Sequence, residues 1–141
     1  MKHTQSLYRP VGVQELQLIL GANAQGFPPR LYWQPIFYPV LNLAYAAQIA
    51  RDWNTQDDNS GYAGFVTSFD LPTSYLSKFE VQTVGGTTHQ ELWIAAEELT
   101  SFNDQLIGPI EIVAAYYGPN YTSNIHTTTT FHLYWNQYGE D

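Results

Sequence analysis

Four prolines lie within residues 22–40, and they exclude regular secondary structure from most of that segment. Pro28, Pro29, Pro35 and Pro39 each lack a backbone N–H donor, so neither a helix nor an interior strand can run through it. The same stretch contains Phe27, Leu31, Tyr32, Trp33, Ile36, Phe37 and Tyr38. Because such side chains favour burial, we predict a long ordered loop packed on the domain, and loops of this kind often carry function.

The segments on either side contain short helices and strands without a regular βα repeat. The clearest helix is predicted over 43–53, because Asn42 can cap it and apolar residues recur at a spacing of four. Two more helices are predicted over 12–20 and 95–103, and strands over 5–10, 62–71, 81–84, 87–94 and 110–117, with a turn over 73–79 and a tight turn at Gly85-Gly86. Segregated elements of this kind indicate an α+β fold.

The 141 residues suffice for one domain. We predict that residues 1–118 form it and that 119–141 form a Thr-rich and aromatic-rich C-terminal extension. The extension is either a further strand or a tail that orders on a partner.

The charge balance excludes several classes of partner. Thirteen acidic and five basic residues give a net charge of −8. Five scattered bases do not make the footprint of a general nucleic-acid binder or of a protein that binds anionic membranes. Cysteine is absent, and neither a membrane span nor a signal-peptide core is evident, so we predict a cytoplasmic protein.

Four polar residues on predicted strands are candidates for chemistry. Arg9 lies among apolar neighbours, where it either forms a salt bridge or holds an anion. His89 and Glu91 share one sheet face, either as a cross-strand pair or as a functional pair. Ser68 is either an ordinary strand hydroxyl or a catalytic one. Glycine-rich phosphate loops are absent and the four histidines are scattered, so we expect no metal site.

The order of these motifs resembles the ADP-ribosyltransferase fold. Leu7-Tyr8-Arg9-Pro10, Thr67-Ser68-Phe69 and His89-Gln90-Glu91 follow the Arg–Ser–Glu order of one class of that fold. The chain from about Leu7 to Tyr117 is also similar to small bacterial proteins described as "ADP-ribosylation/crystallin J1". The resemblance implies a split β-sheet and an NAD-dependent transferase that cleaves the nicotinamide–ribose bond and passes ADP-ribose to a protein or small-molecule acceptor.

The resemblance also implies roles for individual residues. Glu91 would bind the ribose 2′-hydroxyl and stabilise the positive charge that develops there, and Ser68 would brace either Glu91 or the nicotinamide ribose. His89 stands where the family has the side chain that orients the acceptor. Arg9, next to Tyr8, would hold either the pyrophosphate or the adenosine ribose of NAD. The further cofactor-binding candidates are Arg30 and Arg51 for phosphate and Tyr38 and Tyr62 for stacking on nicotinamide.

Two other classes of function fit the same residues. The abundance of Tyr, Trp, Asn and Gln suits a non-catalytic module that binds a nucleotide or a sugar. Alternatively, the protein is an oligomerising structural protein whose C-terminal extension pairs with the sheet edge of a neighbouring subunit.

Overall fold

The computed structural model describes residues 3–122, which form a single α+β domain. Its strands are β1 (Thr4–Val11), β2 (Ile36–Phe37), β3 (Ala63–Pro72), β4 (Val81–Thr83), β5 (Gln90–Leu92), β6 (Ile94–Ala95) and β7 (Ile107–Tyr117). Its α-helices are α1 (Val13–Gly21), α2 (Leu43–Asp52), α3 (Thr73–Leu76) and α4 (Leu99–Gln105). No helix within these residues is both long enough and apolar enough to cross a membrane.

The strands form an antiparallel arrangement centred on β1 and β3. The order β1-β3-β7 makes the largest sheet, while β2 pairs with β6 and β4 pairs with β5. Residues 39–41 connect the β4–β5 hairpin to the large sheet. The backbone of Val40 exchanges hydrogen bonds of 2.7 and 2.9 Å with Tyr8 of β1. On the other side, the N–H of Leu41 donates to the carbonyl of Gln90 in β5, and the N–H of Leu92 donates to the carbonyl of Pro39. Residues 39–41 therefore join the β4–β5 hairpin to the β1-β3-β7 sheet through backbone hydrogen bonds.

The two faces of this sheet are packed differently. One face carries Leu7, Val11, Phe65 and Phe69, which belong to the main core. On that side Phe27, Phe37 and Phe102 join Phe69 in tilted and edge-to-face ring contacts with centroids 4.8–6.0 Å apart. The other face is covered by α2, whose Ala46 and Ala50 pack on Val40 and Val66. Small residues on α2 let its backbone approach the sheet closely.

The proline-rich segment is mostly irregular, as the prolines predicted, with only β2 inside it. Phe27 and Phe37 are fully buried. Tyr32 and Trp33 are 94% and 61% exposed, so the expectation that the aromatic residues of this loop pack under it is wrong for these two.

Two predicted elements differ from the structure. The strand expected over 87–94 is interrupted: residues 87–89 belong to the turn, β5 pairs with β4, and β6 leaves to pair with β2. The strand expected over 110–117 begins earlier, at Ile107, and Gly108-Pro109 lies inside β7 at a β-bulge, where the register against β3 shifts between Ser68 and Asp70. Gly108 has a φ of 76°, a conformation that other residues rarely adopt. Most of the predicted C-terminal extension, from residue 123 on, lies outside the described residues.

Candidate functional site

The Arg–Ser–Glu order of the sequence does not produce a shared site. Tyr8 lies opposite Ser68, and Val40 bridges Tyr8 to Glu91, so this row of residues points to one face of the sheet. Arg9 lies opposite Thr67, and its side chain therefore points to the other face. Three strand spacings, roughly 14 Å, separate Ser68 from Glu91. The structure does not bring Arg9, Ser68 and Glu91 together.

Arg9 is held by partners within the domain. Its Nε and Nη2 donate to the two carboxylate oxygens of Glu15 at 2.7 and 2.9 Å, and its Nη1 donates to the carbonyl of Tyr38 at 3.2 Å. The guanidinium carbon lies 4.7 Å from the ring centroid of Phe37. Of the two alternatives predicted for Arg9, a salt bridge or a bound anion, the structure shows the salt bridge. The pair is bidentate and uses both carboxylate oxygens of Glu15.

Glu91 is held by neutral donors on the opposite face. The hydroxyl of Tyr45 donates to one carboxylate oxygen at 3.0 Å, and the indole N–H of Trp93 donates to the other at 2.8 Å. Burial, together with the adjacent carboxylate, raises the pKa of Tyr45 to about 12. The imidazole of His89 stacks on the Tyr45 ring with centroids 4.5 Å apart. The carboxylate therefore already has an internal donor for each oxygen.

The other candidate residues lie at separate places. Tyr8 packs with the α2 cluster, and Ser68 is half-buried between Tyr8 and Glu111. Arg51 is exposed near the end of α2, where its Nε donates to Asp52 at 2.9 Å. Of the two stacking candidates, the Tyr38 side chain is 40% exposed. Tyr62 is partly buried, lies directly before β3 and has a positive φ of 62°.

A concavity lies beside Arg9, whose side chain points to the face of the sheet opposite Glu91. It is a cavity of about 670 Å³ whose walls are the β1–α1 junction with α1, the proline-rich loop, and the turn over residues 53–60. Arg9, Glu15 and Arg30 line it together with the indole rings of Trp33 and Trp53. Its volume lies within the range of typical small-molecule sites.

Arg30 lines this cavity and has hydrogen-bond donors that residues 3–122 leave unused. Its Nε donates to the carbonyl of Ile36 at 3.2 Å, and its guanidinium carbon lies 5.9 Å from the Phe37 ring centroid. Among residues 3–122, no carboxylate pairs with it and no acceptor bonds its two terminal nitrogens. Burial lowers the pKa of Arg30, and the neighbouring Arg9 lowers it further, while Glu15 acts in the opposite direction.

Two indole rings lie at the cavity with large exposed surfaces. Trp33 is 61% exposed and Trp53 is 67% exposed, and both line the cavity. The exposed side chains of Leu18 and Leu31 line it as well. Exposed apolar surface grouped around one concavity marks a binding surface more often than isolated exposed residues do.

The turn over residues 53–60 is hydrogen-bonded internally and lies close to Gly12, at the start of α1. The side-chain amide of Asn54 donates to the Ser60 hydroxyl at 2.9 Å, and that hydroxyl donates to Asp57 at 2.7 Å. A Cβ on Gly12 would lie 2.6 Å from the Cα of Ser60, so only glycine allows this approach. The two walls of the cavity therefore meet without a gap at Gly12.

The sequence predicted only part of this cavity. Arg9 and Arg30 were candidates, but Glu15, Trp53 and Asn59 were not. Glu15 had a detectable signal, because an acid six residues after a strand arginine, in the first turn of the following helix, can reach back to it. Among the described residues, no three His, Asp or Glu side chains form a group that could hold a metal ion. No family model, curated protein or solved structure matches this chain.

Proposed function

We propose that the protein is a binding module for a small polar ligand that contains a ring, either a sugar or a nucleotide, in the cavity beside Arg9. The observation that carries the proposal is Arg30: a half-buried guanidinium with two nitrogens unused by residues 3–122, facing a cavity of about 670 Å³. A preformed concavity with few polar groups of this kind is the usual form of a small-molecule site.

The lining of the cavity supports a ligand with both a ring and hydroxyl groups. Trp33 and Trp53 provide flat apolar surfaces against which a sugar or base ring can stack. Gln14, Gln34 and Asn59 add amide donors and acceptors for hydroxyl groups. The two carboxylates of this lining already accept hydrogen bonds within the domain, Glu15 from Arg9 and Asp57 from Ser60, so binding is the function that we propose.

Intrinsic tryptophan fluorescence tests this proposal. We expect titration with a panel of monosaccharides, sugar acids and nucleotides, NAD included, to change the emission with at least one of them. Trp33→Phe and Trp53→Phe should weaken that binding, because each removes part of the stacking surface. Trp93→Phe is the control, because this exposed indole bonds Glu91 and does not line the cavity. Equal binding by all three variants and wild type would contradict the proposal.

The NAD-dependent transferase implied by the resemblance stays a prediction. Its direct test is nicotinamide release from NAD by the wild type beside Glu91→Gln, which keeps the side-chain shape and removes the charge. Release by the wild type alone would establish cleavage with Glu91 as the stabilising carboxylate and would replace the binding-module proposal. The separation of Arg9, Ser68 and Glu91 is the reason that we place binding first.

A further inference from the structure

We infer that the ligand of this cavity carries a single negative charge recognised by Arg30, and that Glu15 sets this preference by neutralising Arg9. The inference rests on the proposed function and deepens it. The ligand class that it names is a sugar acid, or a ring compound with one phosphodiester group, in preference to a phosphate monoester or a pyrophosphate.

The first step is the count of charges and hydrogen bonds at Arg9, Glu15 and Arg30, which line the cavity. Arg9 and Glu15 satisfy each other through two hydrogen bonds of 2.7 and 2.9 Å, and the third donor of Arg9 is used by Tyr38. This pair therefore contributes almost no net charge to the cavity. Arg30 adds one positive charge, with both terminal nitrogens unused by residues 3–122. Among Arg9, Glu15 and Arg30, which act on one another electrostatically, the surplus is one cation.

The second step is the reason that an anion fits this surplus. A guanidinium presents parallel N–H groups that match the two oxygens of a carboxylate or a phosphodiester. Burial and the neighbouring Arg9 both disfavour the charged form of Arg30, and the lowered pKa reports this. A bound anion would compensate both effects, whereas a neutral hydroxyl would compensate neither.

The third step is the reason for one charge and not two. Glu15 lines the cavity next to the two arginines, and Asp57 lines it as well. Asp57 accepts bonds from the Ser60 hydroxyl and the Asn59 backbone, so no cation neutralises it among residues 3–122. A second negative charge on the ligand would have no counterpart and would face these carboxylates. A phosphate monoester carries nearly two charges at neutral pH, and a pyrophosphate diester carries two.

The test compares three sugars of the same ring: glucose, glucuronate and glucose 6-phosphate. Binding is followed by tryptophan fluorescence and calorimetry on the full chain, with each probe raised to roughly 10 mM so that dissociation constants of roughly 1 mM are measurable. We expect wild-type protein to bind glucuronate at least about tenfold more tightly than glucose and more tightly than glucose 6-phosphate. Added salt should weaken the binding of glucuronate more than that of glucose.

Substitutions then assign the preference to named residues. Arg30→Gln should abolish the preference, so that this variant binds glucuronate no more tightly than it binds glucose. Lys78→Gln, which removes one positive charge outside the cavity, should change neither. Glu15→Gln leaves Arg9 without its carboxylate, raises the local surplus to two cations and should shift the preference towards glucose 6-phosphate.

One control separates charge from damage to the fold. The double variant Arg9→Met with Glu15→Gln removes both charges of the pair and returns the surplus to one cation, so it should again prefer glucuronate over glucose 6-phosphate. A loss of preference in this variant, with an unchanged circular-dichroism spectrum, would overturn the role of Glu15.

The outcomes distinguish this inference from the proposed function. Equal binding of glucose and glucuronate, unaffected by Arg30→Gln, would overturn the inference and leave the binding module intact. Tighter binding of glucose 6-phosphate or NAD by the wild type would also overturn the inference alone. Absence of binding for all probes, those of the wider sugar and nucleotide panel included, would overturn both.

Discussion

Two polar clusters lie on opposite faces of the sheet, and both are built around a carboxylate. In the Glu91 cluster, the hydroxyl of Tyr45 and the indole of Trp93 provide one neutral donor for each carboxylate oxygen. In the cluster beside the cavity, Glu15 binds Arg9 through a charged pair, and the terminal nitrogens of Arg30 are unused by residues 3–122. The comparison teaches that a sequence motif can identify a polar residue, whereas only the fold shows which donors lack partners, and those donors are the basis of the binding site that we propose.

The largest expected effect comes from breaking the charged pair. Arg9→Met leaves the carboxylate of Glu15, which is 22% exposed, without its cation. We expect the free energy of unfolding to fall by about 3 kcal/mol, measured by urea denaturation. Adding Glu15→Leu to Arg9→Met should restore most of this loss, because no unpaired charge then remains. Arg51→Met is the matched control, since the Arg51–Asp52 pair is exposed on both sides, and its unfolding midpoint should not change.

A smaller effect is expected from the neutral-donor cluster. Glu91→Leu removes the acceptor of both Tyr45 and Trp93, but the indole is partly exposed and water can replace the lost acceptor. We expect a loss of about 1 kcal/mol by the same urea measurement. Glu80→Leu, at an exposed position, is the control. A loss as large as that of Arg9→Met would contradict the contrast between the two clusters.

The pH dependence of stability sharpens the comparison further. The pKa of Tyr45 is raised to about 12 in the folded protein, above the value of about 10 expected when it is unfolded. The protonated hydroxyl therefore stabilises the fold fully below pH 10, and this contribution is lost between about pH 10 and 12. Tyr45→Phe should reduce the fall in stability over that window, by chemical denaturation at stepped pH. Tyr32→Phe, at an exposed position outside the cluster, should leave the fall as in the wild type.

The smallest effect on stability is expected at Arg30. Because its terminal nitrogens bond nothing among residues 3–122, Arg30→Gln removes no charged pair. The free energy of unfolding should stay within about 0.5 kcal/mol of the wild type in urea denaturation. A loss above about 2 kcal/mol would mean that Arg30 holds the fold and is not available to a ligand.

Local patterns predicted most of the secondary structure. The cap at Asn42 forms as expected, with its side chain accepting the backbone N–H of Tyr45 at 2.7 Å. The prolines predicted the irregular segment, and the helix over 12–20 corresponds to α1. These features depend on neighbours within one or two turns, so the sequence contains the information directly.

The relation between the candidate residues could not be predicted in the same way. Whether Arg9 and Glu91 share a face depends on the register of β1 with Val40 and of Val40 with β5, which is set by contacts distant in sequence. A shift of one residue would have exchanged the faces. The exposure of Trp33 likewise depends on how the loop lies on the domain, and its composition alone predicted burial.

The four prolines of residues 22–40 limit the conformational freedom of the loop that forms one wall of the cavity. Each proline removes backbone freedom from the unfolded chain, so the loop that carries Arg30 and Trp33 has fewer alternative conformations than a loop of ordinary composition. A ligand that binds this loop would order few additional residues, so the entropic cost of binding would be smaller than for a flexible loop. For the ligand that we propose, we therefore expect binding close to rigid docking, with a residence time set by the contacts in the cavity and not by closure of this loop.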